Sequence, residues 1–321
     1  MSSPPPSSPG AERGGGEPAA GPVCVLVVAY GAPQSLARCL AVLDGAYPVI
    51  VVDNSSAADT EAVAAAARAV YVDAGENLGF AAAVNRGLLH VALPDTDVLL
   101  LNPDATIEPA AVELLRDALA GDGAVACAAP AQHRPGSDTP ATAVCWPFPT
   151  PGRAWAEAVG LGRYAHRWEY VIASVLLVRG AALVDVGGLD EGFFLYAEEA
   201  DWERRATRRG WSVRYRPDAR AEHVGAGTDP DPSRRHVRFH AGVERYVRKW
   251  HGPAGWRSYQ AATVLTALRR AALQRGQARR ASLGLAALYA RGPSRVAAET
   301  GAVPVRRHHV PALGPAQAAA P

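Results

Sequence analysis

Leu99-Leu100-Leu101-Asn102-Pro103-Asp104 is the stretch that decides the fold of this chain. Three successive leucines read as a strand buried on both faces, and Asn-Pro breaks it. The chain then turns and ends on a carboxylate. In open α/β sheets ligands bind outside the carboxyl ends of the strands, so Asp104 stands where a ligand would sit. A carboxylate there can hold a hard cation, and the cation a diphosphate. The same residues also fit an Asx-type turn with Asp104 solvated on a loop.

On either side, short apolar runs alternate with helical patterns. Residues 23–29 and 48–52 read as β-branched strands, the second ending at Asp53-Asn54. Between them, residues 35–43 place Leu36, Cys39, Leu40 and Leu43 on one helical face. Residues 60–70, 80–90 and 109–120 read as helices, and 70–72, 98–101 and 123–129 as strands. This alternation predicts an α/β fold: a Rossmann-like, mostly parallel doubly wound sheet with helices on both faces. Residues 131–168, rich in Pro, Arg and Trp, are expected to form a long loop over the sheet. A strand over 170–179, a helix over 198–209 closed by Gly210, and a last clear strand over 211–215 follow. The expected organisation is a disordered leader (1–21), a catalytic domain (22–235), a helical basic C-terminal region (236–300) and a disordered tail (301–321).

The composition, 49% apolar and 20% charged over 321 residues, is that of a soluble globular protein of one or two domains. A net charge of +2 hides an asymmetry: residues 201–321 hold 23 of the 33 basic and 8 of the 31 acidic side chains. Lys249 is the only lysine. Cys24, Cys39, Cys127 and Cys145 lack CxxC spacing or zinc-type His pairing, and buried thiols fit better than disulfides. The leader has no apolar core of a signal peptide, and no apolar run approaches the roughly 20 residues of a membrane span. A cytoplasmic protein is expected.

Four positions beyond strand ends could carry chemistry: Asp53, Asp104, the Glu198-Glu199 pair and His223. Each has an ordinary alternative. Asp53 can cap the turn that follows it. Glu198, Glu199 and Asp201 can complement a helix dipole, and Asp201 with Arg205 has the spacing of a surface ion pair. Their order along the chain favours chemistry. VLVVAYGAP (25–33), VVDNSS (51–56), ENLGFAAAVNRGL (76–88), LLLNPDATIEP (99–109), GGLDEGFFLYAEEADWERRATRRG (187–210) and AEHVGAGT (221–228) together resemble the inverting family 2 glycosyltransferases of GT-A fold, in particular their rhamnosyltransferase-like branch. The resemblance spans residues 22–250.

It implies roles for each motif. Ala29, Tyr30 and Asp53 would hold the base and ribose of a nucleotide-sugar donor, and Asn77, Gly79 and Asn85 match the segment that opens a helix beside it. Asn102 and Asp104 stand at the metal-binding DXD motif, with Asn102 in place of the first aspartate. His223 would be a second protein ligand of Mg²⁺ or Mn²⁺. The family's general base is an Asp of an acidic pair; here Glu199 is aligned with it, with Glu198 before it. Either the acceptor sits further back from this longer side chain, or Glu198 shares the task. Two adjacent carboxylates raise one another's pKa, which suits a base working near neutrality.

The reaction implied is metal-dependent, inverting sugar transfer from a dTDP- or UDP-sugar to a hydroxyl of a saccharide or lipid-linked acceptor, in polysaccharide or glycoconjugate synthesis. dTDP-rhamnose is the donor by similarity, with UDP-galactofuranose or another UDP-hexose as the alternative. Phe193 and Trp202 suit core packing, whereas Tyr196, Trp146 and Trp155 could form an aromatic platform for the acceptor. A dinucleotide oxidoreductase is excluded because no GxGxxG follows a strand; Gly160-Leu161-Gly162 lacks the third glycine. Nucleic-acid binding finds no support, since the arginines lie along helices without interleaved stacking aromatics. Residues 256–289 place Val264, Leu265, Leu268 and Ala272 on one helical face flanked by Arg269, Arg270 and Arg275, with Leu283, Ala286, Ala287 and Tyr289 in a second such segment. These faces either pack on the catalytic domain or a second subunit in a homo-oligomer, or lie peripherally on the inner face of the cell membrane.

Overall fold

The computed structural model describes residues 21–162, 167–225, 231–303 and 311–313. Nearly all of the leader and most of the tail expected from the sequence lie outside these residues. In chain order the elements are β1 (Val23–Ala29), α1 (Pro33–Leu43), β2 (Val49–Asp53), α2 (Ala58–Ala66), β3 (Val70–Asp73), α3 (Phe80–Leu88), β4 (Asp97–Leu101), β5 (Ala105–Ile107), α4 (Pro109–Ala120) and β6 (Val125–His133). Then come β7 (Pro140–Thr142), β8 (Cys145–Trp146), α5 (Pro151–Ala158), β9 (Tyr170–Val171), β10 (Val175–Val178) and α6 (Gly180–Val186). The chain ends with α7 (Glu198–Arg208), β11 (Ser212–His223), α8 (Pro232–Leu273), α9 (Gly276–Arg291) and α10 (Pro293–Glu299).

The apolar runs form strands because both faces of the sheet are covered. Along β1, Cys24, Leu26 and Val28 enter one core with Val84 and Leu88 of α3 and Trp202 of α7. Val23, Val25, Val27 and Ala29 enter the opposite core with Leu36 and Leu40 of α1 and Leu115 of α4. Side chains alternate faces with period two, so a strand covered on both sides must be apolar throughout. Pro33, Pro109, Pro151 and Pro232 sit in the first turns of their helices, where a missing N–H removes no bond.

The sheet runs β3-β2-β1-β4-β10-β6-β11-β5, with β7 paired on β6. Pairs β1–β2, β1–β4, β2–β3 and β6–β11 are parallel. The segment expected as one strand over 170–179 instead divides: β9 pairs with β8 in a small separate sheet, and β10 runs antiparallel to both β4 and β6. The loop expected over 131–168 is likewise corrected, since it holds the end of β6, two short strands and α5. α5, the helix between β6 and β10, packs on α8, and the chain re-enters the sheet at the end where β6 left it, so β10 runs opposite to β6. Strand β11 runs on to His223, well past Tyr215 where the sequence pattern fades, and its end pairs antiparallel with β5.

α8 breaks at Gly252 (φ 67, ψ −176) with Pro253 following, and packs against α5, α9 and α10. Before the break it presents Lys249 to two aspartates of 0% exposure, Asp190 ahead of α7 and Asp201 within it. The ammonium lies 2.7 Å from each carboxylate. Trp250 donates its indole N–H to Asp201 at 2.9 Å, and Arg205 donates to the same carboxylate at 3.0 Å and to the carbonyls of Val186 and Gly188. The Asp201–Arg205 spacing thus marks a buried pair, not the ordinary surface pair that it resembles in the sequence. Burial pushes the Asp190 carboxyl up, but the hydrogen bond and charge of Lys249 outweigh it and hold the group below its usual range.

Removing one partner of a buried pair leaves an uncompensated charge. Lys249→Met is therefore expected to lower the unfolding free energy by about 3–5 kcal/mol, read as a drop in the urea midpoint. A loss under 1 kcal/mol would mean that the arginines alone neutralise the cluster.

Candidate active site

The carboxyl end of β4 lies beside that of β1, and Leu101 pairs with Val27. Asn102 donates its backbone N–H to Ser174 at 2.9 Å, and its carbonyl accepts from Ala105 at 3.0 Å. That closes a tight turn over Pro103 and Asp104. β5 then pairs with β11 so that His223 stands opposite Ala105. This register brings His223 Nε2 to 3.3 Å from Asp104 Oδ1, with the two side chains 13% and 5% exposed. Val224 donates its N–H to the Asp104 carbonyl at 3.1 Å.

A carboxylate oxygen and an imidazole nitrogen so placed are suited to share Mg²⁺ or Mn²⁺. His223 Nδ1 is buried without a hydrogen-bond partner. Among the described residues no group of three His, Cys, Asp or Glu side chains could enclose an ion. Two protein ligands with other positions open fit Mg²⁺, which keeps waters and binds substrate phosphates. Residues 226–228 of the last motif lie outside the described residues.

The residues expected around the nucleotide fall into two groups. Ala29 ends β1 in register with Asp53 at the end of β2, and Tyr30 beside it is 44% exposed. Asn77 is half-buried and accepts from the Gly79 N–H at 3.0 Å. Gly79, at φ 76, starts α3 where a Cβ would strike the carbonyl and ring of Phe194. The close approach that this glycine permits is thus to protein backbone. Asp53 is fully buried: its oxygens accept from Ser55 N–H and Oγ, Ala57 N–H and Tyr71 Oη at 2.6–3.1 Å. It caps the loop after β2. Asn85 is buried and bonded to both backbone groups of Leu189 at 2.8 Å and to Glu191 at 3.1 Å. In this structure it ties α3 to the loop before α7.

The opposite wall is the start of α7. Tyr196 (φ 73) and Ala197 (φ 68) are two successive left-handed residues other than glycine, a conformation costing of order 1–3 kcal/mol each. Packing holds them, because Gly242 of α8 leaves just enough room for the Tyr196 carbonyl. Glu198 and Glu199 follow at once. A helix N-terminus favours carboxylates by about 0.3–1 kcal/mol, but desolvation here is larger. Burial raises the Glu199 carboxyl to about 7, against bonds from helix-start N–H groups that lower it. Glu198 is pushed well above its usual range by burial and then by the charge of Glu199. Both leave an Oε2 without a partner.

Glu203, one turn further along the same helix, was not singled out by the sequence, although its i,i+4 spacing from Glu199 was a usable signal. It is fully buried and accepts the Val171 N–H at 3.0 Å, with its other oxygen unpartnered. Burial, with a smaller push from Glu199, raises its carboxyl well above the ordinary carboxylate range. Ser174 and Gln132, bonded at 2.8 Å in the core, also escaped notice.

Glu198, Glu199, Asn102 and His223 line one cavity of about 560 Å³. Trp146 and Tyr196 line it too, as expected of an aromatic platform. Trp155 does not; its indole donates to Ser258 at 3.0 Å. Phe193 and Trp202 are core residues, 1% and 2% exposed.

One cavity thus joins His223, 3.3 Å from Asp104, to the buried carboxylates that start α7. Residues 24–156 match the family described as Glycosyl transferase family 2. The chain is 29% identical over 269 residues to the N-acetylglucosaminyl-diphospho-decaprenol L-rhamnosyltransferase of Mycobacterium tuberculosis, covering 72% of this chain and 87% of that one. Its fold is similar to that of a mannosyltransferase from Pyrobaculum calidifontis solved with GDP-Man and Mn²⁺ (TM-score 0.51, 18% identity, 88% of this chain and 79% of that). It is also similar to GalNAc-T7 solved with UDP, GalNAc and Mn²⁺ (TM-score 0.54, 14% identity, 84% and 54%). Residues 24–156 are thus similar to family 2 glycosyltransferases, and the fold that holds them is similar to that of solved glycosyltransferases of GT-A type.

Glu203 offers a check on the electrostatics of α7. A carboxyl whose pKa rises on folding stabilises the fold fully below its unfolded value of 4.5 and loses that contribution as pH rises toward the folded pKa. Glu203→Gln removes this dependence and keeps an acceptor for Val171. The stability of the variant relative to the parent should therefore increase from about pH 5 to pH 8, by at most about 1.4 kcal/mol per unit. A pH-independent difference in denaturant midpoints would contradict the raised pKa.

Proposed function

We propose that this chain is a glycosyltransferase that moves one sugar, with inversion, from a nucleoside diphosphate donor to a hydroxyl of a saccharide or lipid-linked acceptor. dTDP-rhamnose is the donor favoured by the rhamnosyltransferase relative, and UDP-galactofuranose or another UDP-hexose is the alternative. The observation that carries the reading is one cavity lined both by Glu199 and by His223, which lies 3.3 Å from Asp104. Asp104 and His223 would hold Mg²⁺ or Mn²⁺, which supplies charge neutralisation to the departing diphosphate. Asn102 sits at the same edge as a neutral partner. Ala29, Tyr30, Asn77 and Gly79 border the nucleotide side, and Asp53 shapes that side by holding the loop after β2.

The chain's own part in the transfer is proton chemistry. Glu199 takes the proton of the acceptor hydroxyl as its oxygen bonds to the anomeric carbon; the bond to the diphosphate oxygen breaks on the opposite face, and its electron pair leaves with the nucleotide. A base near 7 is half-ionised at neutral pH, close to the optimum for general-base catalysis. Glu198, buried more deeply and protonated, keeps a second negative charge out of the cleft.

Glu199→Gln should keep donor binding and lose transfer by about 10²–10⁴-fold, and Glu198→Gln should cost less. Because the base must be ionised, the rate in the parent should rise with pH through about 7 and then level. Asp104→Ala and His223→Ala should each weaken Mn²⁺-dependent binding of dTDP or UDP, measured by calorimetry. Unchanged nucleotide affinity and turnover in both would remove the metal assignment, and a larger loss at Glu198 would move the base there.

Peripheral membrane binding is part of the proposal. Val264, Ala286 and Tyr289 pack inward, whereas Leu265, Leu268 and Leu273 are 45%, 47% and 82% exposed beside exposed Arg269, Arg275, Arg279 and Arg280. Among the described residues no helix is long and apolar enough to cross a membrane. Each arginine near an anionic surface contributes about 1 kcal/mol. The full chain should sediment with phosphatidylglycerol vesicles, and a Leu265→Ser/Leu268→Ser/Leu273→Ser variant at least tenfold less. Equal pelleting, or none by either, would rule this face out.

A further inference from the structure

The cavity does not stop at the carboxylates. It runs from Glu199 between α5, where the residues matched to family 2 end, and the paired helices α8 and α9, which lie outside them. Phe148, Val243, Tyr259, Thr263, Leu285 and Tyr289 wall this arm. Its deep polar groups carry no charge. His240 is kept neutral, its pKa lowered to about 3 by burial and by His236, and its Nδ1 lies 2.9 Å from the Tyr289 hydroxyl. Burial raises Tyr259 to about 12 and Tyr289 well above its ordinary value. The arginines along the arm are engaged: Arg153 lies 2.7 Å from Glu169 and Arg270 3.6 Å from Glu157.

A sugar ring carries a hydroxyl on nearly every carbon, and each needs a hydrogen-bond partner when buried. Aromatic and aliphatic walls cannot satisfy them. A hydrocarbon needs none and gains from leaving water. We infer that the arm between α5, α8 and α9 binds the hydrocarbon portion of an amphipathic acceptor, with the acceptor's hydroxyl-bearing sugar directed to Glu199. This rests on the transferase reading above and adds that the C-terminal helices select acceptors by their aglycone. Exposed Leu265 and Leu268 lie on the same stretch of α8 as the lining residues Thr263 and Thr266 but outside the arm itself.

Alkyl glucosides test this on the full chain, as probes kept below their micelle concentrations. By calorimetry, octyl β-glucoside should bind at least tenfold more tightly than methyl β-glucoside, with butyl β-glucoside between them. Thr263→Trp, which fills the arm, and Leu285→Gln, which makes its wall polar, should each weaken octyl binding at least tenfold while Mn²⁺-dependent UDP or dTDP binding stays unchanged. Leu268→Ser on the outer face should leave octyl binding as it was. Affinity independent of chain length in the parent would overturn the inference even if both arm variants fail to fold. Loss of octyl binding in Leu268→Ser but not in Thr263→Trp would place the probe on the outer surface and overturn it as well. Neither result touches the transferase reading, which fails separately if the parent binds no nucleotide.

Discussion

Two buried aspartates face one ammonium, that of Lys249, which lies 2.7 Å from each, while Arg245 and Arg205 each pair with one of them. The cluster joins three parts of the chain far apart in sequence: the loop at Asp190, α7 through Asp201, and α8 through Lys249 and Trp250. Its effect on the site is geometric. α7 begins on two left-handed residues that would relax if the helix could slide, and the cluster together with Gly242 prevents the slide. Glu199 is therefore presented at a fixed depth in the cleft. The Arg205 bonds to the Val186 and Gly188 carbonyls add a second tether one turn further along the helix.

The cleft is divided electrically. On the sheet edge, backbone carbonyls, Asp104 and His223 suit a cation and the phosphates that accompany it. On the helical side, apolar burial has raised every glutamate of α7 above its ordinary range. A site built this way can keep negative charge on one wall and suppress it on the other. Glu199, raised to about 7, is shifted least; Glu198, on the same cavity, is pushed further by burial and by the charge of Glu199, and Glu203 by burial.

Much of the fold was legible because strands buried on both faces write themselves as unbroken apolar runs; β1, β2, β4 and their helices follow that pattern. Strand direction has no such signature, and β10 reads the same whichever way it runs. β5 was too short to show periodicity, and the Pro- and Trp-rich segment concealed α5 because that helix packs on α8 through small residues, Ala154 and Ala158 against Ala262. Within the site, the residues at the ends of β4 and β11 were placed by motif order. Asn85 and Asp53 look the same in a motif whether they face a ligand or the protein, and only their partners, Leu189 for one and the loop after β2 for the other, separate the cases. Asp201 and Glu203 were hidden for a related reason: helical spacing reports neighbours on one helix and is silent about the element packed across from it.

The break at Gly252 divides labour along α8. As one straight rod its 42 residues would reach about 63 Å, at 1.5 Å per residue. Bent at Gly252-Pro253, it becomes two rods with separate duties: the first carries Lys249 and Gly242 and fixes α7, and the second carries Tyr259, Thr263 and Thr266 along the cavity wall. The non-helical residue between them interrupts the helical hydrogen-bond ladder, so the two halves pack on different partners. Substitutions in the second rod can then reshape the cavity while the clamp on α7 stays intact, which leaves this part of the chain free to diverge between enzymes that keep the same catalytic core.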